Sequence, residues 1–398
     1  MQPSDGSNAK GLRLVSQSDL NDCGNGGQIV VRRMGKSKTL AVIAHMAKKA
    51  FSIVDVSNPT KPELVFQQPA YAGTLSHKAR IYDDRYLVLN CEKARDPSVT
   101  TFDSGFRIFD LKDEGNPKEI SFTRVQGDGI HRFWVDPEES LLYAPSYIDG
   151  FSGRILLIFD ISQPQRPRVI CRWWYPGQNV SAGEVPFWAK ENRSFRAHGP
   201  PIRIRDRIYL GYWDAGVLIL DCSDIARLNL VSQRNLCPPY GGCTHTVLPI
   251  TREIAGRKWI AVTDEAIGDY PNADLDKFLW LMDVTNEKNI VPVSAYRVND
   301  PKLFSRLTVG SFGPHNLNEN DLSVANNELY VCWYSGGVRV LDITDPFSLR
   351  EKAYFIPKHD PKKQAAIQTN DLCVDERGLI YCIDRWGAGL HILEKYAT

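Results

Sequence analysis

Five of the eight histidines in this sequence recur at one position of a repeating pattern. Each stands at the start of a strand-like segment, and the five are His77, His131, His198, His245 and His315. Neutral imidazole is a good ligand for iron, copper, zinc and manganese, and clustered imidazoles need a shared reason to stay close and uncharged. The set predicts one transition-metal site, with Fe(II) expected first and Cu, Mn or Zn as alternatives. The other interpretation is a ring of water-bridged histidines that fills a channel.

Three of the five histidines have glycine or proline close by in the sequence. This is expected where the backbone is rigid and other groups pack closely against it. They are His198 in Arg196-Ala-His-Gly-Pro-Pro201, His245 in Gly242-Cys-Thr-His-Thr and His315 in Phe312-Gly-Pro-His-Asn. These three form the predicted core of the site. His131 is the preferred fourth ligand, and His77 is the next candidate.

Four carboxylates are candidates for work beside these imidazoles: Glu265, Asp214, Glu319 and Asp371. Carboxylates next to metal-bound histidines commonly accept the second ring N–H and fix the orientation of the ring. Glu265, Glu319 and Asp371 are expected in that role, and Glu265 or Asp214 would serve as the base if the metal activates water. A loop cap or an ion pair is the competing interpretation for any one of them.

The elements that would position these residues come from an internal repeat. The segment Phe51-Ser-Ile-Val-Asp55 recurs seven times with variations, and successive acidic ends lie 55, 50, 61, 62, 59 and 52 residues apart. A period of this size, built on one short apolar strand, is typical of a radial β-array. We predict an all-β fold, a seven-bladed β-propeller with four-stranded blades, in which the first strands line the axis and bring the histidines together at one end of the channel.

The two ends of the sequence predict how the ring closes. The last repeat stops at Glu394, after its third strand, whereas the segment at about residues 12–16 matches the fourth strand of other repeats. This N-terminal strand should complete the last blade, so that residues 1–398 form one propeller domain without an open edge.

One insertion, at about residues 177–196, lengthens the connection that leads to His198. Long loops in compact repeats often bind ligands, so we expect it near the axial site. Its Phe187 and Trp188, together with Trp213 and Tyr334, are expected to make the substrate pocket apolar.

The composition excludes several classes of function. Net charge is +1 with scattered basic residues, and no stretch has the length and apolar character of a membrane span, so neither nucleic acid nor a membrane is an expected partner. P-loop, GxGxxG, HExxH and GxSxG motifs are absent from the sequence. The N-terminus lacks an apolar signal core, and the nine cysteines form no CxxC pair, which together favour free thiols and a cytoplasmic location. The expected partner is a small-molecule substrate, and the oligomeric state is left open.

The apolar strand is followed by an Asp-x-Ser/Thr-x-Pro turn, as in Asp55-Val-Ser-Asn-Pro59, Asp160-Ile-Ser-Gln-Pro164 and Asp342-Ile-Thr-Asp-Pro346. Strand and turn together resemble the LVIVD-repeat β-propeller family over the chain from Leu12 to Glu394. The second repeat departs from the pattern with Asp110-Leu-Lys-Asp-Glu, and the last one ends in glutamate. The resemblance implies the propeller architecture and little about activity. The repeated aspartate is predicted to form a turn rather than to act in catalysis.

A looser resemblance concerns function. Histidines from several blades on one axis are similar to the arrangement in carotenoid-cleavage oxygenases, seven-bladed propellers that hold Fe(II) with four histidines and outer glutamates. By this analogy the protein is predicted to be a metal-dependent enzyme, a non-haem Fe(II) oxygenase acting on a small aromatic or alkene-bearing molecule. Two alternatives stay open: a redox-neutral metal-dependent hydrolase or lyase, and a non-catalytic propeller that binds other proteins.

Overall fold

A computed structural model describes residues 8–136, 138–267, 277–300, 309–320, 322–324 and 327–396. The strands form seven antiparallel sheets, each built mainly from one repeat and arranged as blades around an axis. The prediction of an all-β, seven-bladed propeller is confirmed. Among the described residues, the helices are short 3-10 turns at Val180–Ala182, Phe187–Glu191 and Leu322–Val324, and none has the length to cross a membrane.

The strands follow the repeats in order. The N-terminal segment contributes β1 (Asn8–Lys10) and β2 (Leu12–Ser18). Blade 1 contains β3 (Gly26–Met34), β4 (Lys38–His45), β5 (Lys49–Asp55) and β6 (Glu63–Pro69). Blade 2 contains β7 (Thr74–Leu75), β8 (Ala79–Tyr82), β9 (Tyr86–Lys93), β10 (Gly105–Asp110) and β11 (Lys118–Arg124). Blade 3 contains β12 (Trp134–Asp136), β13 (Leu141–Tyr147), β14 (Arg154–Asp160) and β15 (Arg168–Trp173).

The second half of the ring continues this pattern. Blade 4 contains β16 (Ile202–Ile204), β17 (Arg207–Gly211), β18 (Val217–Asp221) and β19 (Asn229–Arg234). Blade 5 contains β20 (Thr244–Pro249), β21 (Trp259–Asp264), β22 (Leu279–Asp283) and β23 (Val291–Tyr296). Blade 6 contains β24 (Glu328–Cys332), β25 (Val338–Asp342) and β26 (Arg350–Ile356). Blade 7 contains β27 (Thr369–Val374), β28 (Ile380–Asp384) and β29 (Leu390–Lys395).

Blade 6 is extended at both of its edges. On the axial side, the His315 amide donates to the Cys332 carbonyl at 2.8 Å, and the Cys332 amide donates to Asn316 at 2.9 Å, so this irregular segment serves as the inner strand. On the outer side, β1 pairs antiparallel with β26, which the sequence did not predict.

The N-terminal strand closes the ring as predicted, and it is longer than the predicted residues 12–16. β2 pairs antiparallel with β29 as the outermost strand of blade 7. Ser16 on β2 donates its hydroxyl to the carbonyl of Pro59 in blade 1 at 2.6 Å. Ser121 and Ser294, on the outer strands of blades 2 and 5, make the same bond to the following blade. β2 is therefore equivalent to an ordinary fourth strand, although it comes from the other end of the chain.

The repeated aspartates form turns, as predicted. In six repeats the carboxylate accepts a hydrogen bond from the backbone amide two residues later: Asp55, Asp110, Asp160, Asp221, Asp283 and Asp342. In the Asp160 turn, hydrogen bonds from Ser162 and Arg168 lower the pKa of the carboxyl to about 2. These groups stabilise the link between the third and fourth strands and lie away from the axis.

Large apolar side chains join neighbouring blades. The Phe51 ring of blade 1 contacts Phe109 of blade 2, and Phe106 contacts Phe159 of blade 3, each pair with ring centroids 5.0 Å apart. All four rings are buried. Edge-to-face packing of this kind adds to the hydrophobic stabilisation of the blade interfaces. This packing between blades supports the inner strands.

Removing the closing strand should destabilise the protein more than removing β1 alone. Loss of residues 1–18 exposes the β29 edge and removes Leu12, which is buried, whereas loss of residues 1–10 leaves β2 in place. From one buried leucine and several ladder hydrogen bonds, we expect the longer truncation to cost about 5 kcal/mol and to promote self-association. Urea unfolding and size-exclusion chromatography of the two truncations measure both effects, and equal stability would contradict the assigned role of β2.

Candidate functional site

The inner strands are interrupted where the histidines occur. His77 lies in the gap between β7 and β8, and His245 lies in a register shift between Thr244 and Thr246. Blade 7 has the same shift around Asn370. Such bulges redirect a side chain out of the regular alternation and are common beside functional sites. Here they orient side chains from successive blades towards the axis.

The five predicted histidines form one continuous arc around the channel. Ring centroids are 4.8 Å apart from His77 to His131 and from His131 to His198. The spacing is 4.6 Å from His198 to His245 and 4.2 Å from His245 to His315. Blade 1 contributes no side chain, because a Cβ on Gly27 would lie 2.6 Å from the backbone oxygen of His77.

All five imidazoles are buried, each with at most 5% of its surface exposed. Burial, reinforced by neighbouring cationic groups, lowers the pKa of every one of them well below the ordinary histidine value. The rings are therefore neutral at physiological pH, which is the form that binds metal ions. His391 is buried in β29 and His359 is exposed, and neither lines the axial cavity.

Glu265 is the predicted carboxylate that the structure brings to this arc. Its Oε2 lies 3.8 Å from His198 Nε2 and 3.9 Å from His245 Nε2, and its Oε1 lies 3.6 Å from His315 Nε2. One ligand atom each from His198, His245 and Glu265 fall within 4.8 Å of one another, a spacing that could hold a metal ion.

Tyr334 fixes the position of this carboxylate. The phenol donates to Glu265 Oε1 at 2.7 Å, and the aromatic ring packs on His315 with centroids 4.5 Å apart. The backbone amide of Glu265 donates to the Cys243 carbonyl, two residues before His245. Glutamate and ligand histidines are thus held by the same loops.

The outer nitrogen of His315 is hydrogen-bonded in a way that suits metal ligation. His315 Nδ1 lies 2.7 Å from the Asn370 carbonyl, which only accepts, so this nitrogen carries the proton and the Nε2 lone pair, on the side of Glu265, is available for an ion. His245 has two kinds of neighbour. Its Nδ1 lies 2.8 Å from the Thr246 hydroxyl, which can accept or donate, and 3.1 Å from Arg132 Nη1, which only donates, so these contacts admit either tautomer.

His198 has the opposite arrangement. Arg154 Nη2 donates to its Nδ1 at 2.8 Å, and Arg154 Nε donates to the Ala197 carbonyl at 2.8 Å. Since guanidinium only donates, the proton of neutral His198 resides on Nε2. His198 is therefore a hydrogen-bond donor into the cavity, and it would ligate a metal through Nε2 only after losing that proton.

The remaining two histidines extend the arc away from Glu265. His131 Nδ1 lies 2.7 Å from Oε2 of Glu92, a carboxylate whose pKa burial raises to about 7. His77 is held through its backbone by Asn90, while neither of its buried ring nitrogens has a hydrogen-bond partner among the residues that the structure describes.

The structure does not bring the other three predicted carboxylates to the imidazoles. Asp214 accepts hydrogen bonds from the Ser194 and Cys243 amides, so it organises two loops. Glu319 forms ion pairs with buried Lys78 and Arg132. Asp371 accepts from the Ile29 amide at 2.9 Å and is electrostatically coupled to Glu319. Asp214, Glu319 and Asp371 all lie outside the described lining of the cavity above the arc.

This axial cavity, of about 460 Å³, is lined by the five histidines, Glu265 and several cationic residues. The insertion at about 177–196 reaches it through Arg196. Trp188 is buried and stacks on Phe195 with centroids 4.6 Å apart, while Phe187 is 56% exposed. Of the four aromatic residues expected to make the pocket apolar, Trp213 belongs to the described lining, whereas Phe187, Trp188 and Tyr334 lie outside it.

Sequence reasoning missed the arginines. Arg154 begins β14 and Arg385 follows β28. The two arginines therefore occupy different positions in their repeats, and no common spacing from a histidine identifies them. Arg196 stands two residues before His198, within a motif already singled out. This closeness to His198 in the sequence was the one signal that could have identified it. Glu92 lies near the end of β9, at the position in its repeat that corresponds to Glu265, and the sequence placed it at this end of the channel without selecting it as a site residue.

Comparison with known proteins agrees with the fold and leaves the activity open. The sequence pattern of the LVIVD repeat matches residues 43–68 and 207–235. The chain carries LVIVD repeats. No curated protein matches its sequence.

Solved structures with similar architecture include proteins from two bacteria. A protein from Lactobacillus plantarum has a TM-score of 0.57 at 12% identity, covering 84% of each chain. A functionally unknown protein from Desulfotomaculum acetoxidans has a TM-score of 0.53 at 12% identity, covering 93% of this chain and 90% of its own. At this identity the likeness concerns the fold alone.

Buried histidines should make stability fall in mild acid. His45, whose Nε2 lies 2.7 Å from the Ser52 hydroxyl, has a pKa that burial lowers to about 4. Because its folded pKa lies below the unfolded value of about 6.5, the unfolded state binds more protons, and stability is lost as the pH falls from 7 to 5. In His45→Gln, the free energy of unfolding should fall by about 2 kcal/mol less between pH 7 and pH 5 than it does in the unmodified protein. Urea unfolding at both pH values measures it, and an unchanged slope in the variant would contradict the assignment.

Proposed function

We propose that the protein is a metal-dependent enzyme whose axial site holds one transition-metal ion through His245, His315 and Glu265. The observation that carries this proposal is the approach of the Glu265 carboxylate to two histidine Nε2 atoms, at 3.9 and 3.6 Å. The outer nitrogen of His315 faces a carbonyl that accepts its proton, and that of His245 faces the Thr246 hydroxyl as well as the donor Arg132. Two histidines and one carboxylate with open positions are the donor set of non-haem Fe(II) oxygenases.

An Fe(II) oxygenase acting on a small organic molecule is the reaction class that this donor set supports best. When bound, the metal would supply the site at which dioxygen is activated. The residues of the chain would position and shield the substrate: Tyr334 holds Glu265 in place, and His198 presents its Nε2 proton to the cavity. His131 and His77 would line the substrate side of the arc.

A hydrolase or lyase is a second candidate, favoured by one contact. Glu92 Oε2 lies 2.7 Å from His131 Nδ1 at the wall of the same cavity. A carboxylate–imidazole pair of this kind can act as a general base on water or substrate. Such a reaction would use a Zn²⁺ ion rather than Fe(II) and would need no dioxygen.

Metal content should depend on the proposed ligands. We expect about one metal ion per chain in protein purified without a metal-binding tag, and at least a 10-fold weaker metal affinity in His245→Ala, His315→Ala and Glu265→Gln. Asp214→Asn, in a carboxylate bonded to backbone amides, is the matched control and should retain the metal. His198→Gln should retain it too, because Arg154 keeps that imidazole in the other tautomer. Full metal content in all three ligand variants would exclude the site.

The identity of the ion separates the two reaction classes. Apo-protein loaded anaerobically with Fe(II) should bind nitric oxide, an analogue of dioxygen, and give the S = 3/2 electron paramagnetic resonance signal of an iron nitrosyl. The signal should be lost in Glu265→Gln. Tightly bound Zn²⁺ that Fe(II) cannot replace, with no nitrosyl signal, would instead support the hydrolase.

A further inference from the structure

The axial cavity has more cationic groups than its own acids can neutralise. Its described lining contains the basic residues Lys93, Arg95, Arg154, Arg196 and Arg385 and the acidic residues Glu92, Asp96, Asp128 and Glu265. Most of the acids already have partners. Asp128 pairs with Lys93 at 4.0 Å, Asp96 accepts from Ser98, and Glu92 is bonded to His131. With five basic and four acidic residues, the described lining has an excess of positive charge.

Arg196 and Arg385 are the clearest examples. The Arg196 guanidinium lies over the Trp213 ring at 4.3 Å, and its Nε is buried without a hydrogen-bond partner in the described part of the chain. The Arg385 guanidinium lies 5.3 Å from the centre of the Tyr334 ring. Within the part of the chain that the structure describes, neither guanidinium forms an ion pair with a carboxylate within 4.0 Å. Contact with the Trp213 ring holds the Arg196 guanidinium in place, and Arg385 is held beside the Tyr334 side chain.

A neutral donor lines the same cavity as these two cations. His198 is 96% buried, and its Nε2 has no hydrogen-bond partner among the described residues, with Glu265 Oε2 at 3.8 Å. Because Arg154 donates to the other ring nitrogen, this atom is a donor rather than an acceptor. A buried donor without a partner is costly, and it is satisfied when a ligand supplies the acceptor.

We propose that this cavity binds a small organic carboxylate, whose anionic end is held by Arg196, Arg385 and His198 Nε2. Guanidinium presents paired donors that match the planar geometry of a carboxylate. The volume of about 460 Å³ is far larger than an inorganic anion needs, so the carboxylate must be attached to an organic body. The faces of Trp213 are already covered by Arg196 and His198, which leaves charge as the main basis of recognition. The inference names the substrate class of the enzyme proposed above and in that sense rests on it.

Binding of matched probes tests this assignment. Isothermal titration with benzoate and with its neutral analogue benzamide should show binding of benzoate at least 10-fold tighter. Arg196→Met and Arg385→Met, which keep the apolar stem, should each weaken benzoate binding by roughly 10- to 100-fold. Arg13→Met, on the outer strand of blade 7, removes one exposed cation far from the axis and should leave the affinity unchanged. Arg196→Lys should retain part of the affinity, which separates loss of charge from loss of folding.

The same titrations on chelator-treated protein and on Glu265→Gln separate this inference from the metal proposal. Benzoate binding that persists in both, whatever their metal content, supports the carboxylate site independently. Equal affinity for benzamide and benzoate, or unchanged affinity in both methionine variants, would overturn it. Tighter binding of inorganic phosphate than of benzoate, lost in the same variants, would overturn the choice of a carboxylate.

Discussion

Closure of the blades into a ring is the constraint on which the rest of this structure depends. Once the ring closes, the inner strand of every blade must border one narrow channel, and whatever polar groups those strands carry are removed from bulk water together. Buried polar groups are stable only when they satisfy one another, so the residues of different blades must be mutually complementary at the axis. β2 is the element that completes this arrangement, because it supplies the last blade with its outermost strand.

The axis is filled in two layers with different chemistry. At one level lie the neutral imidazoles, which avoid the cost of buried charge because burial lowers their pKa. At the next level lie full charges, with Lys78 and Arg132 paired to Glu319. Asp371 lies beside this pair, and its pKa is raised to about 7 by burial and by the neighbouring Glu319 charge. Arg132 joins the two layers, because it donates to Glu319 at 2.9 Å and lies 3.1 Å from His245 Nδ1.

Hydrogen bonds to the outer ring nitrogens divide the imidazoles by role. A backbone carbonyl behind His315 leaves its inner nitrogen as a lone pair, whereas the guanidinium behind His198 leaves a proton there. Rings that occupy equivalent places in the repeat thus become a potential ligand in one blade and a donor in another. The repeat fixes where the histidines lie, and the group that contacts each outer nitrogen fixes what each of them can do.

The sequence alone determined the repeat, the number of blades, the turn-forming aspartates, the closing strand and the shared position of the five histidines. These follow from local patterns, namely strand periodicity, turn chemistry and spacing along the chain. Such patterns can be recognised in the sequence without knowledge of the rest of the fold. Only the tertiary structure decided which carboxylate meets the imidazoles. Glu265 reaches them, while Asp214 is drawn to the Ser194 amide and Glu319 to Lys78, because each lies beside a stronger partner that is distant in the chain. The same holds for Arg154, Arg196 and Arg385, which share no spacing and converge only because their strands and loops meet at one end of the channel.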